Sequence, residues 1–157
     1  MAKLSAGLLV YRLNSGKLEV FLAHPGGPYW KNKDNGSWSI PKGEYTQNEE
    51  ALHAALREFR EETGFEPPSG ATLELTALKQ PSGKVISAWA VEGNFDAGKT
   101  SSNMFSMEWP PESGRMQEFP EVDRGEWFGI ETARTKILKG QYGFLEELER
   151  LVKDRAT

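Results

Sequence analysis

The chain has 157 residues, of which 38% are hydrophobic and 27% are charged, a balance typical of a folded globular protein rather than a disordered one. Its formal net charge of −4 argues against a general basic surface for nucleic-acid polymers. Because the sequence contains no cysteine, disulfides, thiolate metal sites and a catalytic thiol are excluded.

No apolar run reaches the length that crosses a membrane, and the first residues lack the apolar region of a secretory signal. We therefore expect no membrane partner and a cytoplasmic location. The length fits one domain over 1–157 with a single hydrophobic core. The sequence leaves open whether the protein is a monomer or a homodimer.

The first part of the chain predicts a β-hairpin, with strands over 4–13 and 18–23 joined by an Asn-Ser-Gly turn. His24 follows, and we predict a structural hydrogen-bonding role for it, with substrate contact as the alternative. Trp30 lies beside lysines, which suits either a nucleobase with its phosphates or a half-buried surface aromatic. A short strand is predicted over 38–41.

The segment 43–65 has the most regular helical pattern of the chain. Its apolar residues fall on one stripe that predicts a face packed against the core, formed by Leu52, Ala55, Leu56 and Phe59. Thr46 and Glu49 predict a capping box at the helix start. Gly64 predicts a left-handed cap at its end.

The polar side of this helix carries an unusual cluster of carboxylates. Glu58, Glu61 and Glu62 are three and four residues apart, so they share one surface and repel each other. Arg57 is within reach of Glu61 one turn on, and Glu49 could hold Arg57 from two turns back. Clustered carboxylates suit a hard divalent cation such as Mg²⁺. The alternative is a solvated, salt-bridged helix face.

The second half predicts two more strands and two helices, over 72–78, 84–91, 129–138 and 141–152. The segment 93–120 is rich in Gly, Asn, Ser and Pro, and predicts an irregular substrate-side loop with a short strand over 105–109. A surface excursion without a role is the alternative. Arg115 in this segment is a candidate substrate-binding residue.

The spacing of residues 43–65 resembles the signature box of the Nudix hydrolases. The matching positions are Gly43, Glu49, Arg57, Glu58, Phe59, Glu61, Glu62, Gly64 and Phe65. So many constrained positions in one short segment rarely match by chance. The resemblance implies the Nudix fold, an α/β (α+β) architecture in which a curved mixed sheet lies between helices and the box forms a strand, loop and helix.

The resemblance also implies the chemistry, which is hydrolysis of a pyrophosphate bond in a nucleoside diphosphate linked to another group, with Mg²⁺ or else Mn²⁺ as cofactor. The implied metal ligands are Gly43 (through its carbonyl), Glu58, Glu61, Glu62 and Glu121. The implied catalytic residues are Glu61, Glu62, Glu121 and Arg57. Glu121 is chosen because it lies six residues before Trp127, with Glu118 as its rival. Arg57 is expected to orient Glu49 and Glu61.

The expected substrate is a small-molecule nucleotide, held by Lys42, Trp30 and Arg115. The layout, with W-x-x-P-K-G before the box, is similar to MutT-like enzymes that act on nucleoside triphosphates or diadenosine polyphosphates. An ADP-ribose or nucleotide-sugar pyrophosphatase is the alternative within the family, and Pro81 is a loose marker for it. A non-catalytic nucleotide-binding module is the alternative outside enzymes.

Overall fold

The structure, a computed structural model, describes residues 3–155. The strands in this range are β1 (Leu4–Asn14), β2 (Lys17–Pro25), β3 (Lys42–Tyr45), β4 (Leu73–Glu74), β5 (Leu78–Lys79), β6 (Val85–Glu92), β7 (Met104–Glu108), β8 (Met116–Pro120) and β9 (Val122–Gly129). The helices are α1 (Ala51–Thr63), α2 (Ile130–Lys136) and α3 (Tyr142–Arg155), with 3₁₀ turns at Ala97–Lys99 and Lys139–Gln141. None of these helices is both long enough and apolar enough to span a membrane.

Seven strands form one mixed sheet in the order β4, β6, β1, β2, β9, with β3 also paired to β1 and β5 to β6. β1 and β6 run parallel, whereas the predicted hairpin of β1 and β2 is antiparallel and is confirmed. β9 pairs with the outer side of β2. β7 and β8 form a separate two-stranded hairpin.

The central strand β1 is buried on both faces because helices cover both sides of the sheet. Leu8 packs with Phe59 of α1 on one face. Leu9 and Tyr11 pack with Phe144 of α3 on the other, since successive side chains of a strand alternate between faces. The predicted α+β class, with a mixed sheet between helices, is therefore confirmed.

Helix α1 begins at Ala51, later than the sequence predicted, and the predicted capping box is wrong. The Glu49 amide donates to the Thr46 carbonyl across a turn (3.0 Å). The Glu49 carboxylate does not cap the helix because Arg57 holds it. Glu50 is the N-cap instead, and its side chain makes no capping hydrogen bond.

The end of α1 agrees with its prediction. Gly64 has a φ of 78°, in the left-handed region that favours glycine, and its amide donates to the Arg60 carbonyl (2.8 Å). The helix therefore stops directly after the last box carboxylate, and the chain turns away with Phe65.

The predicted strand over 38–41 is wrong, because this segment forms only isolated bridges. Ser39 pairs with Ala23, and Trp38 pairs with Ile137 after α2. The buried Gln141 side chain takes one of the remaining backbone hydrogen bonds of this segment, since it accepts from the Ile40 amide (3.0 Å). The regular strand β3 begins only afterwards.

The predicted strand over 72–78 is interrupted, leaving the short strands β4 and β5. Leu75 still donates its amide to the Ala88 carbonyl of β6 (2.9 Å). Thr76 donates its amide to the Glu147 carboxylate of α3 instead (2.7 Å), which draws the chain away from the sheet. The predicted strand over 84–91 corresponds to β6, and it lies inside the sheet between β4 and β1.

The segment 93–120 is more regular than predicted, because most of it is the β7–β8 hairpin. Phe105 lies opposite Phe119 in its ladder. Phe105 also packs against Gly27 of the β2–β3 loop, where an added Cβ would lie 3.0 Å from the Phe105 ring. The hairpin is thereby fixed beside the loop that contains Trp30.

Candidate active site

One cleft of about 630 Å³ lies between β3, the polar side of α1 and the segments that precede β7 and β9. Its lining includes most of the residues that the sequence singled out, namely Trp30, Lys42, Gly43, Glu58, Glu61, Glu62 and Glu121. They come from four separate parts of the chain. The fold therefore brings the box carboxylates together with a lysine, a tryptophan and a carboxylate from outside the box.

Gly43 and Glu58 are in close contact at the mouth of the cleft. A Cβ added to Gly43 would lie 2.0 Å from Glu58 Oε2, which is far inside van der Waals distance. The Glu58 carboxylate thus occupies the space that a side chain at position 43 would fill. Its side chain is only 12% exposed, and burial raises its pKa.

This contact predicts the effect of Gly43→Ala. The added methyl group would displace the flexible end of Glu58 rather than the backbone, so we expect a melting temperature close to that of the wild type. Turnover should fall roughly 10- to 100-fold, the usual effect of disturbing the orientation of a metal ligand. Steady-state kinetics and thermal melts of the variant would check this.

Gly129→Ala is the matched control, because a Cβ at Gly129 would meet nothing within 4 Å. It should change neither the melting temperature nor the rate of turnover. Unchanged turnover in Gly43→Ala would contradict the close approach of β3 to the Glu58 carboxylate.

Arg57 organises the carboxylates of the box. Its Nε and Nη2 donate to both oxygens of Glu49 (2.8 and 2.9 Å), and its Nη1 donates to Glu58 Oε1 (2.8 Å) and Glu61 Oε2 (3.1 Å). The hydrogen bond from Arg57 is the main cause that lowers the pKa of Glu49. The predicted contacts of Arg57 with Glu49 and Glu61 are present. Arg57 therefore offsets the repulsion between neighbouring carboxylates on α1.

The Glu62 carboxylate differs from the others of α1 because, within residues 3–155, it makes no hydrogen bond or ion pair. Burial, and after it the charges of Glu121 and Glu58, together raise its pKa to about 8. Glu121 lines the same cleft from the segment before β9. Its rival Glu118 lies in β8 opposite Ser106, and it does not line the cleft.

Two further residues line the cleft although the sequence did not indicate them. Lys84 lies just before β6 and forms an ion pair with Glu44 (3.0 Å), and Ser5 lies in β1. Neither residue has a sequence signal of its own. Only the parallel pairing of β1 with β6 brings them together, and the sequence does not reveal which strands pair.

Two residues that the sequence suggested as substrate contacts do not line the cleft. Arg115 is exposed in the turn of the β7–β8 hairpin and does not line the cleft. His24 is fully buried, with Nδ1 2.8 Å from an Asp123 carboxylate oxygen and Nε2 2.6 Å from the Lys33 carbonyl oxygen. These contacts agree with the structural role predicted for His24.

The donors in the cleft fit a divalent cation. Within residues 3–155 the half-buried Glu62 carboxylate has no bonded partner, and the charge of Glu121 acts on it. The Glu58 carboxylate packs against Gly43 of β3. These are the hard oxygen donors that Mg²⁺ and Mn²⁺ accept. Within residues 3–155 no three carboxylate or imidazole groups converge on one point, and Arg57 holds Glu58 and Glu61.

Comparisons with known proteins agree with this geometry. The NUDIX domain family model matches residues 1–148. A search of curated protein sequences found no match. Among solved structures, a C. elegans Ap4A hydrolase binary complex is 22% identical, with a TM-score of 0.67 over 96% of this chain and 98% of that chain.

Two further solved structures have similar folds. The NUDIX domain of Shewanella oneidensis NrtR complexed with ADP ribose is 16% identical, with a TM-score of 0.62 over 100% of this chain and 90% of that one. A mutT/nudix family protein from Listeria innocua is 16% identical, with a TM-score of 0.64 over 98% and 95%. The family match over residues 1–148 shows that the chain belongs to the Nudix family, and these structures share its fold.

Proposed function

We propose that the protein hydrolyses a pyrophosphate bond in a nucleotide polyphosphate, either a nucleoside triphosphate or a diadenosine polyphosphate, with Mg²⁺ as cofactor and Mn²⁺ as its substitute. The observation that carries this proposal is the composition of the cleft. Its lining combines the carboxylates of Glu58, Glu61, Glu62 and Glu121 with Lys42, Lys84 and Trp30. A single domain over 1–157 and a cytoplasmic location stay predictions.

The residues that would hold the cation are Gly43, through its carbonyl, and the carboxylates of Glu58, Glu61, Glu62 and Glu121. Nudix hydrolases generally use divalent metal ions. When bound, such an ion offsets the charge of the phosphate oxygens and lowers the pKa of a coordinated water. Glu58 and Glu62 are the first-choice ligands because Glu58 contacts β3 and Glu62 has no other partner in residues 3–155.

Proton transfer falls to a carboxylate that no arginine or lysine side chain of residues 3–155 holds. Glu61 is held by Arg57, whereas Glu121 has no side-chain hydrogen bond or ion pair within residues 3–155 and lies near Glu62. Glu121 is therefore the favoured acceptor of the proton that the attacking water loses. Arg57 positions Glu58 and Glu61 for their roles and lies outside the lining of the cleft.

The edge of the cleft suits the nucleoside. Trp30 is 36% exposed and Met104, at the start of the β7–β8 hairpin, is 52% exposed, and both line the cleft. An aromatic ring and a thioether are suitable surfaces against which a base can stack. The similarity in fold to an Ap4A hydrolase is consistent with such a substrate. ADP-ribose is the second candidate substrate, because the similar NUDIX domain of NrtR was solved in complex with ADP ribose.

A substrate panel with Mg²⁺ tests the proposal. It would contain ATP, an oxidised nucleoside triphosphate, diadenosine tetraphosphate, ADP-ribose and a nucleotide sugar, with the products identified by chromatography. We expect a polyphosphate to be hydrolysed fastest. Faster hydrolysis of ADP-ribose than of any polyphosphate would contradict the proposed nucleotide polyphosphate substrate. Thermal stabilisation by nucleotides without any product would indicate a binding module.

A further inference from the structure

Ser5 of β1 has an unusual environment for a buried hydroxyl. The residue is only 1% exposed, and its Oγ is the one buried side-chain polar atom of residues 3–155 that has no hydrogen-bond partner. Leaving such a group unpaired is unfavourable, so native structures nearly always satisfy it. Ser5 lines the active-site cleft, which is where a partner for the hydroxyl could enter.

The pairing of β1 places Ser5 between two lysines on one face of the sheet. Ser5 lies opposite Glu44 of β3 and next to Ile86 of β6. Lys42 and Lys84 are each two residues before these partners, so they point to the same face as Ser5. Both lysines also line the cleft. One hydroxyl and two ammonium groups therefore share this part of it.

Packing holds Lys42 in place. It lies opposite Gly7 in the β1–β3 ladder, and a Cβ at Gly7 would lie 2.8 Å from the Lys42 Cβ. Within residues 3–155 the Lys42 side chain has no hydrogen bond or ion pair. An anion between the two lysines would relieve their repulsion and accept the hydrogen bond that Ser5 can donate.

We propose that Ser5, Lys42 and Lys84 form a phosphate subsite that binds a phosphate group beyond the two that flank the scissile bond. This inference rests on the proposed function and refines its substrate class. Two phosphates are enough to span the scissile bond, so ADP-ribose or a nucleotide sugar would leave this subsite empty. Chains of three or more phosphates would fill it, and the enzyme should prefer them for this reason.

Ser5→Ala and Lys84→Met test the subsite, with Lys79→Met as the control. Lys79 is an exposed lysine on the neighbouring β5 that does not line the cleft, so its variant makes the same change of charge. We expect both test variants to raise KM for ATP and diadenosine tetraphosphate about tenfold, the usual effect of one lost hydrogen bond to a charged group. KM for ADP-ribose and all constants of the control should stay unchanged.

Ser5→Ala has a second readout that separates a binding role from a structural one. Removing an unpaired buried hydroxyl should leave the melting temperature unchanged or raise it. A lower melting temperature would show that Ser5 supports the fold through an internal partner, and it would overturn the inference. Glu44→Gln removes the partner of Lys84 but keeps the lysine, so it should not raise KM.

Binding of inorganic tripolyphosphate, measured by calorimetry without divalent metal, separates this inference from the proposed function. We expect Ser5→Ala and Lys84→Met to weaken binding about tenfold and Lys79→Met to leave it unchanged. If the wild type hydrolyses no nucleotide but this pattern holds, the proposed function fails and the subsite stands. If nucleotide polyphosphates are hydrolysed but neither variant changes KM or tripolyphosphate affinity, the subsite is overturned and the function stands.

Discussion

Replacing Glu62 with glutamine is expected to lower turnover roughly 10²- to 10³-fold without loss of the fold, a reduction of the size seen when one preorganised charge-stabilising group is removed. The substitution changes little volume but removes a carboxylate that has no protein cation partner within residues 3–155. Kinetics with the best nucleotide of the panel would measure the loss. Circular dichroism would check that the variant is folded.

The same substitution has an expected effect on stability that depends on pH. Burial and neighbouring carboxylates raise the pKa of Glu62 to about 8, from an ordinary value of 4.5. The folded protein therefore binds more protons than the unfolded chain between these values, and metal-free wild type loses stability as pH rises through this window. Glu62→Gln should be more stable than wild type above pH 8, with the difference vanishing near pH 4.

Glu66→Gln is the matched control, because the Glu66 side chain is 82% exposed and, within residues 3–155, pairs only with Arg60. It should change neither turnover nor the pH dependence of the melting temperature. Near-wild-type turnover in Glu62→Gln would contradict the role of Glu62 as a metal ligand. A variant less stable than wild type at pH 9 would contradict the unpaired, buried state of its carboxylate.

Replacing Arg57 with methionine is expected to lower kcat roughly 10- to 100-fold, because Arg57 positions carboxylates without lining the cleft. Glu58 and Glu61 would lose the cation that holds them, and Glu49 would lose both of its hydrogen bonds to Arg57. Arg57→Lys keeps the charge but not the planar fork, so it should restore only part of the loss. The Mg²⁺ concentration at half-maximal rate should rise in Arg57→Met.

Arg60→Met is the control for this prediction, since Arg60 is on the same helix and its side chain is half exposed. Within residues 3–155 that side chain is bonded only to Glu66. It should leave kcat and the Mg²⁺ dependence unchanged. Full rescue by lysine would show that Arg57 acts through charge alone. An unchanged Mg²⁺ dependence in Arg57→Met would show that Arg57 does not position the metal ligands.

Local spacing predicted the parts of the site that lie on one element. Glu58, Glu61 and Arg57 follow from helical periodicity, and Gly64 ends the helix as its left-handed conformation requires. The start of the helix was not predictable in this way. Glu49 could bind either the backbone or Arg57, and only the folded geometry shows that Arg57 holds it.

Tertiary pairing decided the remaining parts of the site. Glu121 and Glu118 were both candidates by spacing, and only Glu121 lines the cleft once β8 and β9 are in place. Arg115 lies in a turn whose direction depends on the hairpin around it. Ser5 and Lys84 meet because β1 and β6 are parallel neighbours, and this long-range pairing leaves no pattern in either segment.

We infer that Glu58, Glu61, Glu62 and Glu121 act with a divalent cation to hydrolyse nucleotide polyphosphates. The most direct measurement is turnover of diadenosine tetraphosphate and ATP by chelator-treated wild-type protein as Mg²⁺ is added, with the products resolved by chromatography. We predict no product without the metal, and a saturable rise with Mg²⁺ that yields two phosphorylated products from each cleaved bond. Equal turnover in excess chelator, or hydrolysis of neither compound at saturating Mg²⁺, would contradict the claim.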